Sequence, residues 1–397
     1  MSRKNHALTK PKEFNLDIPA SNGLRRGQTT GSCATAATKA ALTLLLTHKK
    51  CDSVRVMLPK GAHYLYNDWH GEQYLMIPVH QSYWLDEDTA RAEVIKDAGD
   101  DPDQTHGATL SAEISRNAKG NIHFYAGKGV GTITRPGIRL PVGEPAINPV
   151  PRQMMHQAVR EVLNETGHSA LEMGFDITLG CKNGEAIARK TFNPRLGIVG
   201  GISILGTSGI VEPMSLASWI ASIEVYVRVA LADDAQEIAF LPGKIARTYV
   251  KEILQLPPYR AVEIANFLGE ALDFTQTVLE AQKRRLKILW LAGHPGKLAK
   301  LLDGTWNTHS SKSTMAMANV AEIADQLGFS SALIQSIKQA NTVESIIQQL
   351  KNEHQSKTLW TTIEHRIGEL ARQRVPAVDR VEARLFDLHG NALGTDA

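Results

Sequence analysis

A two-domain protein, α+β followed by α/β, is what this sequence predicts, and three observations carry the prediction. At 397 residues the chain is long enough for two cores. Its N-terminal half sets short β-type runs between two helical stretches, whereas its C-terminal half repeats strand, glycine turn and helix four times. The expected boundaries are a flexible extension over 1–22, an α+β domain with a mixed or antiparallel sheet over 23–196, and an α/β domain over 197–397 with a mostly parallel sheet flanked by helices, ending in C-terminal helices.

In order along the chain, Thr29 to Leu46 reads as an alanine-rich helix with Thr and Ser as caps. The runs SVRVMLP, QYLMIPV, ATLSAEISR and NIHFYAG, separated by Gly, Pro and Asp, read as strands between Ser53 and Gly127. Helical spacing returns over Pro151 to Thr166, and LEMGFDITLG resembles another strand. Beyond it GISILGTSG, EIAFLPG, AVEIANFLG and LKILWLAG are each followed by a helical segment: Met214–Leu231, Lys244–Leu254, Glu270–Lys283 and Pro295–Leu302. That alternation implies parallel strands joined by right-handed crossovers. Helices between Met315 and Arg374, then a strand-like VEARLFDL, complete the domain.

Composition narrows the class. Apolar residues make up 43% and charged residues 21%, which is a globular balance and not a disordered one. With 44 basic against 41 acidic residues and no long block of one sign, nucleic acid is not implied. Cys33, Cys51 and Cys181 are odd in number and lack C-x-x-C spacing, against a disulfide framework or structural zinc. No secretory h-region and no run of 18 apolar residues is present, so the default expectation is cytoplasmic, without membrane partner.

The most informative stretch is FNPRLGIVGGISILGTSGIVEPMS, Phe192 to Ser215, with five glycines around a short apolar core. It lacks both G-x-G-x-x-G and the P-loop Lys, so the alternatives are a ligand-binding turn and a tight structural one. Ligands of open parallel sheets sit beyond the carboxyl ends of the strands. Those ends fall at Gly206–Gly209, Pro242–Lys244, Gly269 and Gly293–Lys297, giving Gly201, Gly206, Thr207, Ser208, Gly209, Gly243, Gly293 and Gly296 as candidate cofactor contacts.

VIKDAGDDPDQTHG gathers Asp97, Asp100, Asp101, Asp103 and His106. The order does not fit a calcium loop; a structural turn, substrate or proton handling by a carboxylate pair, and binding of a hard cation all remain. His294 and His309 stand beside helix starts in a phrase that also holds Lys297, Lys300 and Lys312, where a His can cap, donate or move a proton. Asp100, Asp101, His106, His294 and His309 are therefore the candidate catalytic side chains. Cys33, at a helix start, reads as a nucleophile or a small buried residue.

Six phrases carry a resemblance: LRRGQTTGSCATAATKAAL from Leu24, VIKDAGDDPDQTHGA from Val94, GKGVGTITRPG from Gly127, GEPAINPVPRQM from Gly143, the glycine run from Phe192, and GHPGKLAKL with NTHS from Gly293. In this order, over about three quarters of the chain, they resemble the cobalt-precorrin-5B C1-methyltransferase (CbiD) family of anaerobic cobalamin biosynthesis. The chain departs from that pattern at Lys244-Ile245-Ala246 after LPG, and at SSKSTMAMAN after His309.

The resemblance implies methyl transfer from S-adenosyl-L-methionine to C1 of the cobalt corrinoid, giving cobalt-precorrin-6A, with no protein-bound metal because the cobalt belongs to the substrate. It also implies an α+β domain beside an α/β domain. A corrinoid is a broad apolar ring with many carboxylate arms, so Arg25, Arg26, Lys128, Arg135, Arg139, Arg152, Arg195 and Lys297, all in glycine- and proline-rich phrases, are the expected grips. Homo-oligomerisation and transient contact with neighbouring pathway enzymes are compatible with it. The rivals are a nucleotide-dependent transferase or dehydrogenase using the same crevice, and a non-catalytic tetrapyrrole carrier.

Overall fold

The computed structural model describes residues 10–59, 72–168, 173–309 and 316–395. The chain divides into two compact units, Met1–Ser215 and Leu216–Ala397.

The first unit opens with β1 (Lys12–Glu13), β2 (Gly27–Gln28) and α1 (Thr30–Thr47). Thr29 and Ser32 form a reciprocal capping box, each side chain accepting from the other's amide, which satisfies two donors the helix cannot. Next, β3 (Ser53–Met57) pairs antiparallel with β4 (Gln73–Pro78), and β1 adds parallel to β4. Within the expected extension, among the described residues of 1–22, Lys12–Glu13 are paired and Phe14 is buried in the core, because an apolar residue beside an open strand edge has both a ladder and a cavity to join.

The main sheet follows: β5 (Gln81–Trp84), β6 (Thr89–Ile95), β7 (Thr109–Asn117) and β8 (Ile122–Ala126), then β9 (Gly129–Val130), β10 (Thr132–Ile133), α2 (Pro149–Glu165) and β11 (Gly174–Cys181). Its order is β5-β6-β7-β11-β8, antiparallel except for β11 with β8. Ala90, Ala92, Val94, Leu110, Ala112, Ile114, Phe175, Ile177 and Leu179 point inward with the period of two that strands impose, and α1 packs on that face. The alanines of α1 let it lie close to both the sheet and α2.

The unit closes with α3 (Gly184–Ala188), β12 (Ile198–Val199), β13 (Gly201–Ile202) and β14 (Ile210–Val211). These strands pair with β10, β9 and β2 respectively. Residues 197–215, expected to start the α/β domain, thus belong to the first unit. Ile202, Ile204 and Ile210 sit in its core, and the glycines lie between very short strands where a βα unit was expected.

The second unit contains α4 (Leu216–Ala230), β15 (Glu237–Leu241), β16 (Ala261–Glu263), α5 (Leu268–Ala281), β17 (Leu286–Gly293), α6 (Pro295–Leu298), α7 (Met317–Gln326), α8 (Ser331–Gln339), α9 (Val343–Leu350), α10 (Ser356–Arg374) and β18 (Val378–Leu385). Its strands lie in the order β16-β15-β17-β18, and every pairing is parallel. Ile238, Phe240, Leu289, Leu291 and Leu385 bury one face in a core shared with the helices. The helix expected over Lys244–Leu254 is one π turn, Tyr249–Ile253. Pro257 and Pro258 follow it and have no amide to extend a ladder.

Candidate functional site

In the second unit the chain runs from β15 to β16 on one side and then to β17 on the other, so β15 and β17 form the topological switch point of the sheet. Two turns meet at the carboxyl ends there. Pro242-Gly243-Lys244 follows β15, and Gly293-His294 leads from β17 into α6. A Cβ on Gly293 would stand 2.8 Å from the Pro242 ring, which fixes how closely the turns approach.

Lys297 reaches across this edge: its ammonium donates to Pro242 O at 2.8 Å and to Ala265 O at 3.5 Å. Burial lowers its pKa, and the nearby charge of Lys300 lowers it further. Lys300 is buried and donates to Thr308 O at 3.2 Å. Thr308 in turn donates its amide to Asn266 O at 3.0 Å, so Asn307 and Thr308 lie beside the segment between β16 and α5. The Thr308 hydroxyl, on a residue only 3% exposed, has no hydrogen-bond partner among the described residues. Ala265 holds φ +51°, a left-handed value costly for a residue with a Cβ, which marks this edge as strained.

His294 is fixed as a cap. Its Nδ1 accepts from the Gly296 amide at 3.0 Å and its Nε2 lies 3.1 Å from Glu344 Oε2, the pattern of a neutral ring protonated at Nε2. A Cβ on Gly296 would crowd that ring at 2.8 Å. His309 is exposed, with its amide on Asn307 Oδ1 at 3.2 Å. Lys312 lies outside the described residues.

The glycine run sits elsewhere. Gly201, Gly206, Thr207, Ser208 and Gly209 belong to the first unit and are not strand ends of the parallel sheet, and Gly269 is inside α5, so of the four expected strand-end turns those after β15 and β17 stand at this sheet. Gly206 (φ +137°) and Gly209 (φ +83°) have left-handed backbone, and a Cβ would strike Thr29 at 2.6 Å and Leu58 at 2.7 Å. Gly201 lies against Gly129, Ser208 bonds Ile210 O, and Thr207 is exposed. Leu205 O and Gly209 O take the Gly31 and Thr29 amides, so this loop closes the start of α1. These contacts give the run a structural role at the start of α1.

The acidic phrase is a junction. Arg25 makes a two-pronged pair with Asp97 at 2.6 and 2.9 Å, and its amide donates to Asp100 Oδ2 at 2.7 Å. Hydrogen bonds from Arg25, against an opposing cost of burial, hold Asp97 below the usual carboxylate range. Asp101 accepts from the Met214 amide at 2.9 Å, His106 Nδ1 from the Ala98 amide at 3.1 Å, and Arg26 pairs with Glu212 at 2.6 Å. Three distant stretches, 22–28, 97–106 and 209–214, are joined here. The expected catalytic roles of Asp100, Asp101 and His106, and the expected substrate grip of Arg25 and Arg26, meet side chains already engaged in holding backbone and partners. Arg152 is likewise held, by Ile147 O and Glu144, each at 2.8 Å.

The other cations gather differently. Arg135 and Arg195 stand on a small lobe around Ile133, Leu140, Ala146 and Ile198, where the Arg135 stem covers Gly197 and Arg195 stacks on Phe192. Exposed Arg139 shares the lobe with exposed Val142 and Val199. Lys128 is exposed just before β9. Lys128 and Arg139 have no ion-pair partner among the described residues. Cys33 is fully buried and its thiol is pushed up to about 12, which removes it as a nucleophile.

Sequence reasoning missed Glu263 at the end of β16 and its partner Arg247. The available signal was spacing: Glu263 stands 20 residues after Gly243. Thr308 was hidden by an absence of pattern, since an orphaned hydroxyl is a property of packing.

Comparison with known proteins bears on the whole chain. The CbiD family model matches residues 18–213, and the model of the CbiD C-terminal domain matches 307–397. A cobalt-precorrin-5B C(1)-methyltransferase of Ralstonia nicotianae is 55% identical over 383 residues, covering 96% of each chain. Proteins of the same name from Chromobacterium violaceum (54%; 97% of this chain and 98% of that one) and Pseudomonas paraeruginosa (41%; 94% and 95%) are also similar. A solved cobalamin biosynthesis protein (cbiD) from Archaeoglobus fulgidus is 25% identical, covering 79% of this chain and 88% of that one at a TM-score of 0.38. On the two family-model matches and the three named relatives, with the six ordered phrases, the chain belongs to the CbiD family.

Proposed function

We propose that this protein is a cobalt-precorrin-5B C1-methyltransferase, transferring methyl from S-adenosyl-L-methionine to C1 of the cobalt corrinoid to give cobalt-precorrin-6A. The observation that carries the reading is identity of 55% across 96% of the chain to a relative of that name. The donor supplies an already activated methyl group, so the protein's task is to hold two reactants in line. Positioning of that kind is worth ~7–11 kcal/mol, against ~3–5 kcal/mol for one acid or base. The engaged state of Asp100, Asp101, His106 and His294 agrees with catalysis that needs no single indispensable proton carrier.

For the donor, the switch-point edge of the second unit offers a suitable set of groups. Gly243 leaves the backbone open, and the cationic Lys297 can meet the amino-acid carboxylate. For the corrinoid, the lobe bearing Arg135, Arg139 and Arg195 beside exposed Val142 and Val199 combines cations with apolar surface, as an apolar ring with carboxylate arms requires. Cobalt enters with the substrate.

The test is anaerobic incubation of cobalt-precorrin-5B with methyl-labelled donor, read by mass spectrometry and carbon NMR. Label at C1 in a product heavier by one methyl is expected. Binding of the corrinoid without transfer would replace the proposal with the carrier reading.

A further inference from the structure

Glu263 closes β16, opposite Leu241 of β15 in the parallel register. It therefore stands one strand along from the Pro242–Lys244 turn, at the same carboxyl edge. Val262 enters the helix-side core, so alternation along the strand turns Glu263 to the other face, where Arg247 from the segment after Gly243 meets it. The Glu263 side chain is 20% exposed, and the Nε of Arg247 is buried with no partner among the described residues.

Gly243 supplies a second, independent observation. Its φ lies outside the left-handed range, and a Cβ there would meet nothing within 4 Å. Neither backbone conformation nor packing calls for glycine at that position; open space beside a main chain at a switch point suits close approach of a ligand. In a strand, glycine turn, crossover, strand unit, a nucleoside lying on the first turn brings its ribose to the end of the second strand, which here is Glu263. An ionised carboxylate has about four acceptor positions, enough to hold Arg247 and accept from both hydroxyls of a vicinal diol.

We propose that Glu263 binds the ribose hydroxyls of the methyl donor's nucleoside, with Arg247 orienting its carboxylate. The inference rests on the reading that the donor occupies this edge. It makes the site selective for a ribonucleoside: a 2′-deoxy ligand loses an accepted hydrogen bond, and a 2′-phosphorylated one meets charge repulsion.

Calorimetry on the full chain with S-adenosylhomocysteine and its 2′-deoxyadenosyl analogue tests it. The unaltered protein is expected to bind the deoxy analogue about tenfold to a hundredfold more weakly, the range for one charge-assisted hydrogen bond. In Glu263→Gln the two ligands should bind within about threefold of each other, because the group that tells them apart is gone. Glu263→Asp keeps the charge beside Arg247 and should narrow the same ratio, so the test survives if the glutamine variant does not fold. Full discrimination retained in both folded variants overturns the role of Glu263. If Gly243→Val abolishes binding in that case, the donor site itself stands. Unchanged affinity in folded Gly243→Val and Lys297→Met as well overturns the site and the inference together.

Discussion

The ammonium of Lys297 donates to the main-chain carbonyl of Pro242 at 2.8 Å and so ties α6, which follows β17, to the turn after β15. The contact puts a half-buried cation at the point where the sheet changes direction. A sulfonium would be repelled there and a carboxylate attracted, so at the proposed donor site the charge would turn the amino-acid end of a donor that carries both toward Lys297.

Lys297→Met should raise the donor KM at least tenfold and leave the corrinoid KM nearly unchanged. The sign of the pH dependence follows from the lowered pKa: the ammonium is lost at a lower pH than in an ordinary lysine, and donor binding weakens as pH rises through that value. Steady-state kinetics across the alkaline range should show this limb in the unaltered protein and its absence in the variant. A donor KM indifferent to both changes would remove Lys297 from the site.

Glycines of the two units should separate in their effects. Gly206→Val and Gly209→Val place a branched Cβ at positive φ against Thr29 and Leu58, and should cost about 1–3 kcal/mol from backbone strain alone, seen as a lowered Tm. Gly243→Ala should leave Tm unchanged. Thermal melts beside S-adenosylhomocysteine titrations separate folding from binding; a normal Tm for Gly206→Val would contradict the structural account of the run.

Legibility of the fold followed the length of the pattern. The alanine-rich α1, the alternating β7 and β11, and the apolar β15 and β17 were readable because each repeats its period several times. The stretch 197–215 misled because strands of two residues have no period, and its glycines repeat the strand-and-turn rhythm of a βα unit. The site divided likewise. Lys297, His294 and Gly243 could be placed near strand ends from sequence, but the engagement of Arg25 with Asp97 and of Asp101 with the Met214 amide joins residues 72 and 113 positions apart. Nothing local in the sequence records such a pairing.

Lys96 and Asp103 form a pair at 2.6 Å whose members differ in burial, 1% and 27% exposed. Asp103→Asn leaves a buried ammonium unpaired and should cost about 3–5 kcal/mol; Lys96→Met leaves a partly solvated carboxylate and should cost less. Burial alone would raise the Asp103 pKa, but Lys96 and the Thr105 hydrogen bonds hold it low. Its stabilising contribution is therefore complete above about pH 4, its unfolded value, and disappears as pH falls through the lower folded value. Denaturant melts from pH 7 downward should show a shallower acid loss in Asp103→Asn, and equal costs for the two variants would contradict the burial argument.

Thiol labelling should read the fold directly. Cys33 and Cys181 are buried, with thiols pushed up to about 12 and about 11, whereas Cys51 is half-buried. Iodoacetamide at pH 8 should modify Cys51 first, and the other two only as denaturant opens the first unit. Peptide mass spectrometry that found Cys33 alkylated in the native protein would show the start of α1 to be open.

The cations of the first unit should fall into two classes. Arg25, Arg26 and Arg152 are engaged by Asp97, Glu212 and Glu144, so Arg25→Gln should lower Tm by loosening the junction of three stretches. Lys128 and Arg139 carry no such load, and their joint replacement by Gln should leave Tm alone while raising the corrinoid KM. One solvated contact contributes only about 0–1 kcal/mol, so the pair alone should give a several-fold change. Adding Arg135→Gln and Arg195→Gln should deepen the effect to tenfold or more, because these two share a lobe with Arg139 and would act with it on one polyanionic ring. The effect should shrink as added salt shortens the Debye length to about 8 Å and below. A corrinoid KM that responds to Arg25→Gln but not to the quadruple variant would move the substrate from the lobe to the junction.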